Sequence, residues 1–204
     1  MRTKLHFDRH PEDWELNRLL AGINLRSTWG KRTYLMIVFL CHTGLRIGEM
    51  TRLTVGDVAW EGEPREEVYL SHAITKGRKS RAVPFNPVAK ECVRKLLEFN
   101  GKRGFSTRPE APLFPWKSHG FLPTREAERE IQKLREKVGL SAKITPHAFR
   151  HYFANRLRKA GVDPFTIAVI LGHASVDTTQ GYTITSSLEK RSAVCSFLPQ
   201  KGVA

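Results

Sequence analysis

The sequence predicts a mostly helical α+β fold, a single domain carrying a small three-stranded antiparallel sheet. Three observations lead there. Apolar residues recur at helical spacing in the first and last thirds of the chain, and the period changes to two between Val55 and Phe85. The length, 204 residues with 40% hydrophobic content, suits one core. No composition shift splits the chain, so residues 1–204 read as one unit, and short strands joined by tight turns fit an antiparallel sheet better than a parallel core.

Each element has its own signal. Glu12 to Gly22 places Trp14, Leu16, Leu19 and Leu20 near one side of a helix that stops at glycine. Lys31 to Cys41 is apolar enough for a buried helix; Thr43-Gly44 interrupts it, and Arg46 to Leu53 starts another helical stretch. Val55–Trp60, Glu67–Ile74 and Arg81–Phe85 read as the three strands, with turns at Glu61–Glu66 and Thr75–Ser80. Asn86-Pro87, Thr145-Pro146 and Asp163-Pro164 each pair a capping side chain with a proline suited to a first helical turn. Between them, Asn100 to Phe121 is rich in Gly, Pro and Arg and reads as a long, partly ordered loop, and Arg125 to Val138 as a helix with Ile131, Leu134 and Val138 at helical spacing.

Charge narrows the function. With 34 Lys+Arg against 20 Asp+Glu the formal charge is +14, and the sequence pI is near 10.1, so the surface attracts polyanions. Basic residues run along the whole chain rather than in a tail, which fits a folded surface gripping a nucleic-acid backbone. The longest apolar run, Tyr34 to Cys41, is far short of the ~20 residues that span a bilayer, and Met1 to Pro11 has no apolar stretch resembling a secretory signal. The expectation is a cytoplasmic protein with no membrane role. Cys41, Cys92 and Cys195 are odd in number and widely separated, giving neither a disulfide framework nor zinc spacing; they read as small core residues.

Breaking and rejoining a phosphodiester needs a nucleophile, cations that neutralise the charge building on phosphorus, and an acid for the leaving oxygen. Such groups occur in local motifs. Arg46 follows a glycine turn in TGLRIGEM, with Glu49 three residues on, on the same helix face; alone, this also reads as an ordinary Arg–Glu pair. In HAFRH, His147, Arg150 and His151 share one face just after Pro146, where a helix N-terminus favours phosphate. His151 also reads as a core histidine, and no third ligand has the spacing of a zinc site, so no metal is expected. Leu171-Gly172-His173 ends a helix, and Tyr182 stands beside a glycine in TTQGYT.

Taken in order, TGLRIGEM, TKGRKSRAVP, HAFRH, LGH and TTQGYT resemble the catalytic domain of tyrosine recombinases, the phage-integrase family, over roughly Asp13 to Tyr182. The resemblance implies a tyrosine-recombinase-like fold and a catalytic set of Arg46, Lys76, His147, Arg150, His173 and Tyr182, supported by Glu49 and His151. Lys76 matches the lysine that protonates the leaving 5′ oxygen, with Lys79 as its rival; Arg78, Lys79 and Arg81 would contact double-stranded DNA. Tyr182 matches the nucleophile that forms a 3′-phosphotyrosyl link, with no metal, ATP or other cofactor. The implied assembly is a homo-tetramer on two DNA sites, with a monomer in isolation as the alternative, and the implied protein is nucleoid-associated and bacterial, archaeal or phage-encoded.

Two features depart from the family pattern. The match begins within about fifteen residues of Met1, so the N-terminal core-binding domain usual in the family is expected to be absent. In the tail, residues 183–204, Leu188, Ala193, Val194, Phe197 and Leu198 form an apolar face that packs either on its own domain or on a neighbour. Rival readings are a non-catalytic DNA-binding protein of the same fold and a type IB topoisomerase-like enzyme. If phosphate contacts dominate, affinity for duplex DNA is expected to fall steeply with salt in a fluorescence-anisotropy titration. An affinity that stays flat from low to moderate salt would contradict a backbone-gripping mode.

Overall fold

Leu35 through Thr43 are all buried, and a helix that is apolar all round must sit inside its fold. In the computed structural model, which describes residues 10–27, 29–71, 80–117, 120–172 and 187–196, this stretch is the central helix α2 (Gly30–Thr43). It follows α1 (Asp13–Ala21) and packs against α5 (Pro87–Lys102) and α7 (Pro146–Lys159). Phe39 meets Phe85 edge-on at 5.6 Å and Phe114 at 6.2 Å in the middle of the core. Leu16, Leu19 and Leu20 of α1 are buried, whereas Trp14, grouped with them by spacing, is exposed.

One charged residue belongs to this core. Arg32 of α2 is fully buried between the rings of Trp29 and Trp116, 4.5 and 5.2 Å from their centroids. It donates to the Pro115 carbonyl at 3.0 Å and pairs with Glu130 of α6 (Thr124–Lys137). Burial pulls its pKa down, and Glu130 works against that shift. The pair fastens α6 to the central helix, since a guanidinium left buried without its carboxylate is strongly destabilising.

The middle of the chain corrects the three-stranded expectation. Val55–Val58 is a short helix, α4, because Thr54 and Asp57 form a reciprocal cap: Thr54 N donates to Asp57 Oδ2 at 2.8 Å and Asp57 N to Thr54 Oγ1 at 3.3 Å. Between Met50 and Thr54 the chain leaves α3 (Ile47–Met50). The described strands pair in twos: β1 (Ala59–Trp60) with β2 (Glu63–Pro64), β3 (Glu67–Leu70) with β4 (Arg81–Pro84), and β5 (Pro115–Trp116) with β6 (Gly120–Phe121), all antiparallel. In the second ladder Val68 faces Val83 and Leu70 faces Arg81; Val68 and Leu70 are buried while Tyr69 between them is exposed.

The segment expected to be a loop, 100–121, is held by long-range backbone bonds. Leu113 N donates to Leu53 O, Val55 N to Ala111 O and Gly56 N to Pro109 O, and the Asn100 side chain donates to Leu113 O at 3.1 Å. The capping expectations are met at three helices: Asn86, Thr145 and Asp163 accept from the backbone N–H of Ala89, Ala148 and Thr166 and start α5, α7 and α8 (Pro164–Leu171). The last described helix, α9 (Ser187–Cys195), lies against β4 and α8 and buries Val194 in the main core, while Leu188 is 77% exposed. The tail's apolar face therefore packs on its own domain at Val194; Phe197 and Leu198 lie outside the described residues.

Where α2 ends, Gly44 takes φ 62°, in the left-handed region, and turns the chain toward Arg46. A Cβ there would stand 2.4 Å from Phe153 Cδ1 and 2.9 Å from Leu171 Cδ2. Gly44→Ala thus adds left-handed strain to a core clash and is expected to lower stability by roughly 2–4 kcal/mol in urea unfolding. A loss below ~0.5 kcal/mol would show that the turn relaxes freely.

Candidate active site

Arg46 sits at the N-cap of α3 with extended backbone, φ −71° and ψ 145°, so its own N–H needs an acceptor other than the helix's backbone carbonyls. Glu49, one turn on, reaches back: its Oε2 accepts from Arg46 N at 2.9 Å and its Oε1 from Arg46 Nη1 at 2.9 Å. The same carboxylate accepts from Arg81 of β4, Nη1 to Oε1 at 3.0 Å and Nη2 to Oε2 at 2.7 Å. Glu49 is only 2% exposed. Burial alone would raise its pKa, but the bonds and charges of Arg81 and then Arg46 overrule it and hold the carboxyl below its ordinary value.

Arg150 comes to the same place from α7. It is buried, and its Nη1 donates to the Gly44 carbonyl at 2.7 Å and its Nη2 to the Leu171 carbonyl. Those carbonyls belong to the ends of α2 and α8, so the guanidinium joins three helices. Burial, and then the like charges of Arg46 and Arg81, push its pKa down to about 9, which leaves it charged at neutral pH. His147 lies on the first turn of α7. Loss of hydration, then the charges of Arg150 and Arg46, lower its pKa and favour the neutral ring. The His151 ring stands edge-on to it, with centroids 4.6 Å apart.

Arg46, His147 and Arg150 line one open cleft of about 280 Å³, together with Ile47, Glu128, Thr145 and Pro146. The N-terminus of α7 adds its partial positive charge to the cleft. Arg46, Arg81 and Arg150 thus outnumber the carboxylates of Glu49 and Glu128, and an anion entering the cleft meets net positive charge.

Arg46, Glu49, His147, Arg150 and His151, expected to act together, are brought together. Arg81, expected to contact DNA, has a side chain only 8% exposed with both terminal nitrogens bonded to Glu49, so it points inward. Lys76, Arg78, Lys79, His173 and Tyr182 lie outside the described residues. Sequence reasoning missed the carbonyls of Gly44 and Leu171 as the seats of Arg150, although Gly44 is itself a marked helix stop and Leu171 precedes another, Gly172. It also missed Glu128, whose exposed carboxylate on α6 lines the cleft with no local motif to announce it. Among the described residues no three His, Cys, Asp or Glu side chains cluster as a metal site, and no helix is long and apolar enough to cross a membrane.

Comparison with known proteins agrees with this geometry. The sequence profile of the phage integrase family matches residues 12–188. The tyrosine recombinase XerC of Anoxybacillus flavithermus is 31% identical over 172 residues, covering 83% of this chain and 55% of the relative. XerC of Rhizobium meliloti is 38% identical over 155 residues, covering 74% of this chain and 45% of the relative. Among solved structures, the XerA recombinase superposes with a TM-score of 0.63 at 27% identity, over 94% of this chain and 61% of that one. The chain spans about half the length of the curated relatives it matches.

The buried carboxylate gives the site a pH signature. Because the folded-state pKa of Glu49 is lowered, its stabilisation is present above the ordinary value of 4.5 and is lost as pH falls through the folded value. Glu49→Gln is expected to be about 3 kcal/mol less stable than wild type at neutral pH and to lose less on acidification below pH 4.5, as read by urea unfolding across pH. Parallel acid profiles for the two proteins would contradict the assignment.

Proposed function

The chain belongs to the phage integrase family, and from that premise we propose that it is a site-specific recombinase that breaks and rejoins double-stranded DNA through a covalent tyrosine intermediate. The observation that carries the reading is the cleft lined together by Arg46, Arg150 and His147, with Arg46 held by the buried carboxylate of Glu49.

In this reading the scissile phosphate enters the cleft, and Arg46 and Arg150 hold its non-bridging oxygens as charge builds in the transition state. Arg150 already gives two N–H groups to backbone carbonyls, which fixes the plane of the guanidinium and leaves its other donors for the anion. The Tyr182 hydroxyl attacks phosphorus, forming a bond from its oxygen to phosphorus while the bond to the 5′ oxygen breaks. The phenol proton passes to His147, whose lowered pKa keeps the ring free to accept it. Lys76, with Lys79 as its rival, protonates the departing 5′ oxygen, and His173 donates a hydrogen bond to the phosphate. A 5′-hydroxyl from a second strand then attacks the phosphotyrosine and restores Tyr182, so bond energy is conserved and no nucleotide cofactor is consumed.

Residues 12–182 would form the catalytic domain, 183–204 its tail, and the working assembly would be a tetramer on two DNA sites. The location that suits this substrate is the cytoplasm, at the chromosome.

Nicked suicide duplexes built from the flanks of the chain's own gene, which trap the covalent state, test the reading. After denaturation in SDS, wild type is expected to show a protein–DNA adduct and Tyr182→Phe none, with DNA affinity retained. An adduct in Tyr182→Phe would show that another residue is the nucleophile. Binding without any adduct from wild type would favour a non-catalytic DNA-binding protein, and supercoil relaxation without strand exchange a topoisomerase.

A further inference from the structure

Arg81 makes contacts that no step of the proposed chemistry uses. It opens β4, five residues after Lys76 in the sequence, and its two terminal nitrogens each donate to one oxygen of the Glu49 carboxylate that also holds Arg46. Each carboxylate oxygen accepts one bond from Arg46 and one from Arg81, so the plane of the carboxylate is fixed, which a single-point contact does not do. Arg46 needs that restraint, because its own side chain is 34% exposed.

Behind Arg81 stands Gly172, the left-handed cap of α8 at φ 68°, immediately before His173 in the sequence. A Cβ at 172 would lie 2.7 Å from Arg81 Cδ and 3.2 Å from its Nε. That Nε is buried and has no hydrogen-bond partner among the described residues, which leaves Glu49 as the anchor of the side chain there.

We propose that Arg81 is a positioning residue for DNA cleavage: it locks Glu49 in the orientation that presents the Arg46 guanidinium to the cleft, and the bare Gly172 gives it room to do so. The proposal rests on the reading of the chain as a DNA-breaking enzyme. Lysine cannot take over the task, since an ammonium makes no pair of parallel bonds to one carboxylate.

The full chain on suicide duplexes separates this role from the alternatives. Arg81→Met is expected to slow single-turnover cleavage on the order of 100-fold, with DNA affinity and its salt dependence close to wild type, and Arg81→Lys to recover only part of the rate. In a Glu49→Gln background, Arg81→Met is expected to add little further loss, because both changes act through one carboxylate. Weaker binding with a salt slope reduced by about one would make Arg81 a phosphate contact and overturn the proposal. Unchanged cleavage, or losses that multiply across the double variant, would overturn it equally. If wild type forms no adduct, the proposed activity fails, and the arginine side-chain NMR signals of the isotope-labelled chain still decide the role of Arg81. The Arg46 Nε–H signal is then expected to exchange with solvent faster in Arg81→Met than in wild type; an unaltered Arg46 signal would overturn the positioning role.

Discussion

A buried carboxylate surrounded by arginines is the constraint on which the rest of this structure depends. Glu49 is almost wholly out of water, so as an anion it needs every lone pair answered, and it receives four hydrogen bonds from two arginines. Those bonds dictate where Arg46 and Arg81 lie, and through them the approach of α3 and β4. With Arg150 the cluster holds three guanidiniums near Glu49; burial first, and then repulsion from Arg46 and Arg81, push the pKa of Arg150 down to about 9. On the proposed function, a phosphate entering the cleft would relieve that repulsion, giving affinity for the anion and organisation of the site one origin.

The helix ends around this cluster complete it. Gly44 and the α8 terminus expose carbonyls that a continuing helix would have used internally, and Arg150 takes both, at Gly44 O and Leu171 O. A guanidinium held this way has its plane fixed before any anion arrives. Such preorganisation is what transition-state stabilisation requires, because the donors need not reorient as charge develops. His147, one turn of α7 away from Arg150, shares the field and is held toward its neutral form, as suits a proton acceptor.

Much of the fold was legible because its signals are local. Asn86, Thr145 and Asp163 before proline marked three helix starts, and the spacing of His147, Arg150 and His151 placed them on one face. What escaped depends on partners distant in sequence. Val55 and Val58 suit a strand by composition but, at i and i+3, suit one face of a helix as well, and the Thr54–Asp57 cap decides between them. Arg81 looked like its basic neighbours Arg78 and Lys79, for charge alone does not say which way a side chain points; Glu49, 32 positions away, turns it inward. Arg32 gave no sign of being buried, because its carboxylate partner Glu130 lies 98 positions along the chain. Likewise Pro109, Ala111 and Leu113, in a segment rich in glycine and proline, are held by strand-like bonds to residues near position 55 that composition does not reveal.

The most direct test of the central claim is a crystal structure of the full Tyr182→Phe chain bound to an uncleaved duplex site. The account predicts the scissile phosphate in the cleft, its non-bridging oxygens within hydrogen-bond distance of Arg46 and Arg150, with Glu49 still accepting from both Arg46 and Arg81. A phosphate seated away from these two arginines, or Arg81 released from Glu49 onto the DNA, would contradict it.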